Sequence, residues 1–101
     1  MKKYHAKAAH VTMYYDEEPK ELEITTTATG TLEELIADAK RICETKQRFD
    51  DYFRTMTMDA EPFNVMTDIE SGEGYIDITY HFTEGDYTTE MNVSYVVEEE
   101  K

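Results

Sequence analysis

The alternation of apolar and polar side chains over residues 63–97 restricts the possible folds of this chain more than any other feature. The segment FNVMTDIESGEGYIDITYHFTEGDYTTEMNVSYVV has a period of two and is interrupted by turn signals at Ser71 with Gly72 and at Glu84 with Gly85. This pattern is typical of an antiparallel meander. It predicts strands near 63–70, 74–83 and 86–97. The side chains expected on the apolar face are Phe63, Val65, Ile69, Ile76, Ile78, Tyr80, Phe82, Tyr87, Met91, Val93, Tyr95 and Val97.

Residues 3–29 show a second pattern of the same kind and predict a long β-hairpin. The turn is expected at DEEP, residues 16–19, because aspartate favours turns and proline interrupts strand pairing. Pairing Tyr15 with Lys20 places Met13 opposite Leu22 and gives one apolar face. The other face is polar and rich in threonine.

The segment 31–55 predicts a single long helix. Thr31 and Glu34 have the spacing of a capping box, in which each side chain bonds the other residue's backbone N–H. Apolar residues then recur every three or four positions, which predicts a helix over about 32–54 with one stripe on a core. The stripe contains Leu32, Leu35, Ile36, Ala39, Ile42, Cys43, Phe49, Phe53 and Met56.

The elements combine into one α+β domain spanning residues 1–101, with the order ββαβββ. A largely antiparallel sheet of five strands carries the helix on its apolar face, and residues 98–101 form an acidic tail. No second helix is available for the other sheet face, which therefore meets water, a partner or another copy of the chain. The strand order across the two hairpins is left open.

Motifs for catalysis or for metal binding are missing from the sequence. His5, His10 and His81 do not have metal-ligand spacing, and the single cysteine, Cys43, lies on the helix stripe as a small buried residue. His81 and Glu90 are expected on the same face of the last hairpin as diagonal neighbours, but no nucleophile or phosphate-binding loop accompanies them. The sequence thus predicts a protein without enzymatic activity, cofactor or metal. It also lacks a signal peptide or membrane anchor, which predicts a cytoplasmic location.

Acidic residues are concentrated in the second half of the chain. The net charge is −13; residues 1–54 carry nine basic and eleven acidic groups, whereas residues 55–101 carry one basic and twelve acidic groups. Direct binding to nucleic acid or to anionic lipid requires clustered lysine and arginine, so both are excluded. A basic protein remains as the partner that this charge favours.

The predicted meander places these acids in definite positions. Glu98, Glu99 and Glu100 come beside Glu70 and Glu73 at one end, while Glu84 and Asp86 mark the other end. Carboxylates on one strand face repeat about every 6.6 Å, which makes an ordered array. The partner-binding residues predicted are Asp68, Glu70, Glu73, Tyr75, Asp77, Glu84, Asp86, Glu90, Glu98, Glu99 and Glu100. Tyr75, Met66 and Tyr87 would add contact area.

In size and composition the chain resembles the phage-encoded anti-CRISPR and DNA-mimic inhibitors. The resemblance rests on about 100 residues, strong acidity, one helix with a small sheet, and the acids named above between Asp68 and Glu100. It covers composition and includes no shared motif. It implies a CRISPR effector nuclease or another nucleic-acid-binding protein as the partner, blocked in its nucleic-acid channel. It also implies the cytosol of the host cell as the location.

Three alternatives follow from the same sequence, and one is a ligand-binding domain with an apolar cavity between helix and sheet. A structural domain of a cytosolic or prophage protein would self-associate as a homodimer through the uncovered sheet face or through an edge strand. A designed α+β protein without natural function would also have regular turns, a capping box and matched element lengths. Six methionines, eight tyrosines and a free cysteine favour a natural origin.

Overall fold

The chain folds into one helix and an antiparallel sheet, as described here from a computed structural model over residues 2–16, 18–24 and 28–100. This confirms the α+β class. The elements are β1 (Tyr4–Tyr15), β2 (Glu18–Ile24), β3 (Ala28–Gly30), α1 (Leu32–Arg48), β4 (Thr57–Met58), β5 (Asn64–Glu70), β6 (Glu73–Glu84) and β7 (Tyr87–Glu99). The predicted turn residue Glu17, the hairpin residues 25–27 and the tail residue Lys101 lie outside the described part.

The sheet contains seven strands, two more than predicted. Its order is β2–β1–β7–β6–β4, with β3 also paired to β1 and β5 also paired to β6. The count exceeds five because both edges are divided. The return arm of the first hairpin forms β2 and then β3, and the far edge consists of β5 and the short β4. The sheet is therefore about five strands wide, with β7 at its centre.

Both hairpins keep the predicted faces, but each has a register two residues away from the expected one. Tyr15 pairs with Glu18 rather than with Lys20, and Asp16 in the turn has a φ of 39°. A residue in the left-handed region permits a tighter turn than a loop of four residues does. In the last hairpin Glu84 pairs with Tyr87, so the turn is one residue later than predicted. A shift of two leaves every side chain on its face.

The helix begins where the capping box predicts and ends earlier than expected. The Glu34 N–H donates to Thr31 Oγ1 at 3.3 Å, and the Thr31 N–H donates to Glu34 Oε1 at 3.1 Å. The helix stops at Arg48 instead of near residue 54, because Asp50 accepts hydrogen bonds from the N–H groups of Tyr52 and Phe53 and starts a new turn. The predicted helical stripe consequently breaks after Arg48.

The core lies between α1 and one face of the sheet. Phe53 is fully buried, with its ring 5.3 Å from that of Phe82 and 5.5 Å from that of Tyr15. The Tyr95 hydroxyl donates to Asp38 Oδ2 at 2.6 Å and joins β7 to the helix. Burial and this hydrogen bond raise the pKa of Tyr95. Cys43 is fully buried as expected, and burial raises the pKa of its thiol to about 12.

Three side chains are more exposed than the apolar pattern of the sequence predicts. Phe49 is 81% exposed and Phe63 is 63% exposed, because the helix ends before the first and the second stacks on the opposite sheet face. Tyr87 is partly exposed, and its hydroxyl accepts a hydrogen bond from Tyr52 at 2.6 Å. The N-terminal strand also contains a bulge between Ala6 and Ala8, which turns Lys7 outward.

Candidate functional site

The sheet face opposite α1, called the outer face below, is covered by no other element in the described residues. Its centre and far edge are formed by alternate residues of β5, β6 and β7, whose partners across the sheet are fixed by the pairing. The acidic members of this set are Asp68, Glu70, Glu73, Asp77, Glu90 and Glu98. The structure thus brings six of the ten predicted partner-binding acids, together with Tyr75, onto one surface.

The part of this surface at the far edge of the sheet, called the β5–β6 patch below, consists of Met66, Asp68, Tyr75 and Asp77. Asp68 pairs with Tyr75, and Met66 pairs with Asp77. Carboxylates and large apolar groups therefore occupy opposite corners of a small square. Met66 and Tyr75 are each 53% exposed. Within the described residues, neither carboxylate of the patch has a basic nitrogen within 4.0 Å.

The end of the outer face near the 71–72 turn is partly neutralised. Lys7 Nζ lies 3.0 Å from Glu98 Oε2 and 3.5 Å from Glu73 Oε1, and both carboxylates raise the lysine pKa, Glu98 more strongly. Lys2 Nζ lies 3.3 Å from Glu99 Oε1. Glu73, Glu98, Glu99 and the turn enclose an acidic cleft of about 340 Å³. This end therefore carries less net negative charge than its number of acids indicates.

The predicted acidic tail is largely part of the sheet. The strand β7 runs to Glu99, whose N–H donates to the Gly72 carbonyl at 2.8 Å. The Glu100 N–H donates to the Lys3 carbonyl at the same distance. Backbone pairing thus holds the carboxylates of this end in place. Glu99 lies opposite Tyr4, so it belongs to the helix side of the sheet rather than to the outer face.

The other end of the last hairpin is a smaller acidic site. Glu84 accepts a hydrogen bond from Thr55 Oγ1 at 2.5 Å. Asp86 lies in the tight turn beside Gly85, which has a φ of 60°. These two acids are separated from the β5–β6 patch by most of the length of β6. The structure does not unite them with the other predicted residues.

The basic residues of the helix remain on the helix side. Arg41 pairs with Asp38, and Arg54 Nη2 lies 3.2 Å from Asp51 Oδ1. Segment 31–55 holds five of the ten lysines and arginines together with six acids, so it is close to neutral. Among the described ion pairs, only Lys7 joins a basic group to the outer face without a histidine. The excess negative charge therefore belongs to the sheet.

His81 and Glu90 are direct partners across β6 and β7 rather than diagonal neighbours. His81 Nε2 lies 3.5 Å from Glu90 Oε2, and the ring of Phe63 stacks on the imidazole with 3.8 Å between centroids. A similar pair joins His10 Nδ1 and Glu21 Oε1 at 3.3 Å. In the described part of the chain, no group of three or more potential metal-ligating side chains comes together.

Sequence reasoning missed two features that shape this site. The first is the bulge that brings Lys7 to Glu98, although the sequence contains a signal for it: buried residues change from even positions, Tyr4 and Ala6, to odd positions from Ala9 onward. The second is Phe63, which was expected in the core. Its place on His81 depends on the chain path before β5, and alternation alone does not specify that path.

Comparisons of the chain with protein families, with curated proteins and with solved structures find no match. A function for the chain therefore has to be inferred from its fold and from its outer face. Across residues 2–16, 18–24 and 28–100, no helix has both the length and the apolar character that crossing a bilayer requires.

Proposed function

We propose that this chain is a non-enzymatic inhibitor whose outer face binds a basic, nucleic-acid-binding protein. A CRISPR effector nuclease is the partner that the resemblance to anti-CRISPR inhibitors favours, with the host cytosol as the place of action. The observation that carries the proposal is the β5–β6 patch, where Asp68 and Asp77 stand beside exposed Met66 and Tyr75 without a basic neighbour among the described residues.

The spacing of the acids supports recognition by a surface built for nucleic acid. Asp68 and Glu70 are two residues apart on β5, and such side chains repeat about every 6.8 Å in an antiparallel strand. A single DNA strand carries a phosphate about every 3.4 Å along its axis, so two carboxylates span about two phosphate steps. A lysine- or arginine-lined groove can therefore contact several acids of this face at once.

The exposed apolar side chains of the patch can supply contact area that exposed ion pairs lack. Exposed acids alone accelerate association, but each exposed ion pair contributes little to the strength of a complex. Tyrosine and methionine are enriched at the centres of protein interfaces, where their burial slows dissociation. Tyr75 and Met66, which lie between the two carboxylates, are placed to provide this contact.

The proposal is tested by DNA cleavage assays with guide-loaded CRISPR effector nucleases in the presence of the chain. For a nuclease that is inhibited, we expect affinity to fall steeply as salt rises and DNA to compete with the chain. The outer-face variant neutralises three acids together: Asp68→Asn, Glu70→Gln and Asp77→Asn. We expect it to bind at least about tenfold more weakly, because three ion pairs are removed at once.

A matched control separates the position of the charge from its amount. The control variant neutralises three exposed acids on the helix side: Glu18→Gln, Glu33→Gln and Glu44→Gln. Both triple variants have the same net charge. We expect the control to keep its affinity within about twofold, apart from the effect of net charge on association rate. Equal losses in both variants, or inhibition that is indifferent to salt and DNA, would contradict docking through the outer face.

Self-association through the same face is a second candidate, favoured by the exposure of Phe63, Met66 and Tyr75. The acids of two copies would repel each other, so a dimer of this kind should strengthen as salt rises. Sedimentation velocity at low and high salt distinguishes the two. A monomer at both salt concentrations would contradict self-association. A dimer that forms at high salt and is lost in Tyr75→Ala would instead contradict the use of this face for binding a nuclease.

A further inference from the structure

A groove opens on the helix side of the sheet, where the β1–β2 hairpin meets the end of α1. Its volume is about 240 Å³. An engineered apolar cavity of about 150 Å³ is large enough to bind benzene, so this groove has room for a small organic molecule. It lies on the sheet face opposite the outer face and shares no residue with the surface of the proposed function.

The walls of the groove are mainly apolar. Met13 is 2% exposed and Leu22 is half-buried, and both point to the helix side from the hairpin. Phe49 follows the last helical residue and is 81% exposed, although a phenylalanine at this position was expected in the core. An aromatic ring left in water beside an apolar groove can gain burial by packing against a ligand.

Two lysines, Lys20 from β2 and Lys46 from α1, flank these apolar walls. This is notable in a chain with net charge −13 and only ten lysines and arginines. Within residues 2–16, 18–24 and 28–100, neither ammonium group has a carboxylate oxygen within 4.0 Å. Both are therefore placed to receive an anion from solution.

The one acid in the groove, Asp50, is already occupied by neutral donors. Its Oδ1 accepts the N–H groups of Tyr52 at 2.9 Å and Phe53 at 3.1 Å, and its Oδ2 accepts the Tyr15 hydroxyl at 2.5 Å. These bonds hold the carboxylate toward the chain segment after the helix. Asp50 thus stabilises the backbone there without pairing with the lysines.

We propose that this groove binds a small amphipathic carboxylate, with its hydrocarbon part against Leu22 and Phe49 and its carboxylate between Lys20 and Lys46. The apolar walls select a hydrocarbon body, and charge complementarity with the two ammonium groups selects the anionic head. The volume restricts the ligand to a short chain or a single ring. A cationic amphiphile of the same length has an unfavourable head group for this site.

The test compares sodium octanoate with octyltrimethylammonium bromide, which has the same chain length and the opposite charge. Binding is measured by calorimetry and by chemical-shift changes of the Leu22 and Met13 methyl groups. The net charge of −13 attracts the cation to the protein as a whole, so a preference for octanoate can arise only from a local site. We expect octanoate to bind at least about fivefold more tightly and to shift these methyl groups.

Variants locate the preference in the groove. Lys20→Gln with Lys46→Gln should weaken octanoate about tenfold, since two exposed ion pairs are lost. A control pair, Lys3→Gln with Lys40→Gln, has the same charge and should leave octanoate binding unchanged. Phe49→Ala should weaken both amphiphiles, because it removes the shared apolar contact.

The outcomes are unambiguous even if a variant fails to fold, because the two ligands are compared first on the unaltered chain. Octanoate binding that is preferred, and is weakened by the Lys20 and Lys46 substitutions but not by the control pair, supports the site. Tighter binding of the cation, no binding of octanoate up to its solubility limit, or equal losses in the two lysine pairs would overturn it.

Discussion

Gly72 and Gly74 lie two residues apart at the β5–β6 turn, and alanine at each tests a different part of the structure. Gly72 has a φ of 81° and open space where a Cβ would be added, so alanine meets backbone strain only. Gly74 lies opposite Ile69 in the β5–β6 pairing. A Cβ on Gly74 would overlap the Asp68 carbonyl oxygen and lie 2.8 Å from the Ile69 Cα.

The two substitutions should differ clearly in cost. An L-residue in the left-handed region loses about 1–2 kcal/mol, which is the expected effect of Gly72→Ala. Gly74→Ala overlaps backbone atoms that cannot rotate away, so β5 must move. Overpacking costs about 1–3 kcal/mol, and the partial exposure of Val65 and Ile69 adds about 1 kcal/mol each. We expect Gly74→Ala to reduce the free energy of unfolding by roughly 3–5 kcal/mol.

Urea denaturation of the two variants measures these losses, and amide hydrogen exchange shows where they occur. Gly74→Ala should lose protection in β5 first, while the pairing of β6 with β7 remains. Gly74→Ala changes no charge but should displace Asp68 with β5. If the position of Asp68 matters for binding, this variant should therefore bind a basic partner more weakly. A smaller loss for Gly74→Ala than for Gly72→Ala would show that β5 does not lie against Gly74.

Three further predictions concern the core and the bulge. Tyr95→Phe should lower the free energy of unfolding, measured in urea, by about 1.5–3 kcal/mol, because the Asp38 carboxylate loses a buried hydrogen-bond donor. Losses that add fully when Tyr95→Phe is combined with Asp38→Asn would contradict this. The pKa of the Cys43 thiol is 9.0 in its ordinary state, and burial raises it to about 12 in the folded protein. The contribution of this thiol to stability should therefore fall above pH 9 by up to about 1.4 kcal/mol per pH unit. Over that range the unfolded thiol has lost a proton that the folded one keeps. Cys43→Ala should therefore reduce the slope in urea titrations between pH 9 and 10, below the range where Tyr15 and Tyr95, whose pKa values are also raised, add to it. Lys7→Gln removes the ion pair with Glu98 and leaves that carboxylate free. Calorimetry should then show a higher affinity for a basic partner at low salt but not at high salt. An unchanged affinity at low salt would show that this end of the outer face does not contact the partner.

The sequence predicts this fold well wherever the signal is local. The capping box of Thr31 and Glu34 marks the start of the helix, and the period of two in residues 63–97 assigns side chains to faces. Registers are less certain, because they depend on turn geometry such as the left-handed Asp16. An error of two residues keeps the apolar face intact, so face assignment survives a wrong register.

Longer-range features could not be predicted in the same way. The end of α1 depends on a competition between continued helix and the bonds that Asp50 makes to Tyr52 and Phe53. Helical spacing alone places Phe49 and Phe53 on one stripe, whereas the structure buries the second and exposes the first. The groove beside Phe49 is a direct result of this break, which explains why it has no simple sequence signature.

The candidate site illustrates why the number of acids in a segment does not determine the charge of a surface. The end of the sheet near the 71–72 turn contains the densest run of glutamates, Glu98–Glu100, and the sequence predicts five carboxylates there. The strand order β1–β7–β6 brings the N-terminal lysines to that end, where Lys7 contacts Glu73 and Glu98. The β5–β6 patch has fewer acids, but β5 is an edge strand far from β1, and in the described part of the chain Lys2 and Lys7 pair with acids elsewhere. Topology therefore moves the strongest uncompensated charge from the tail to Asp68 and Asp77.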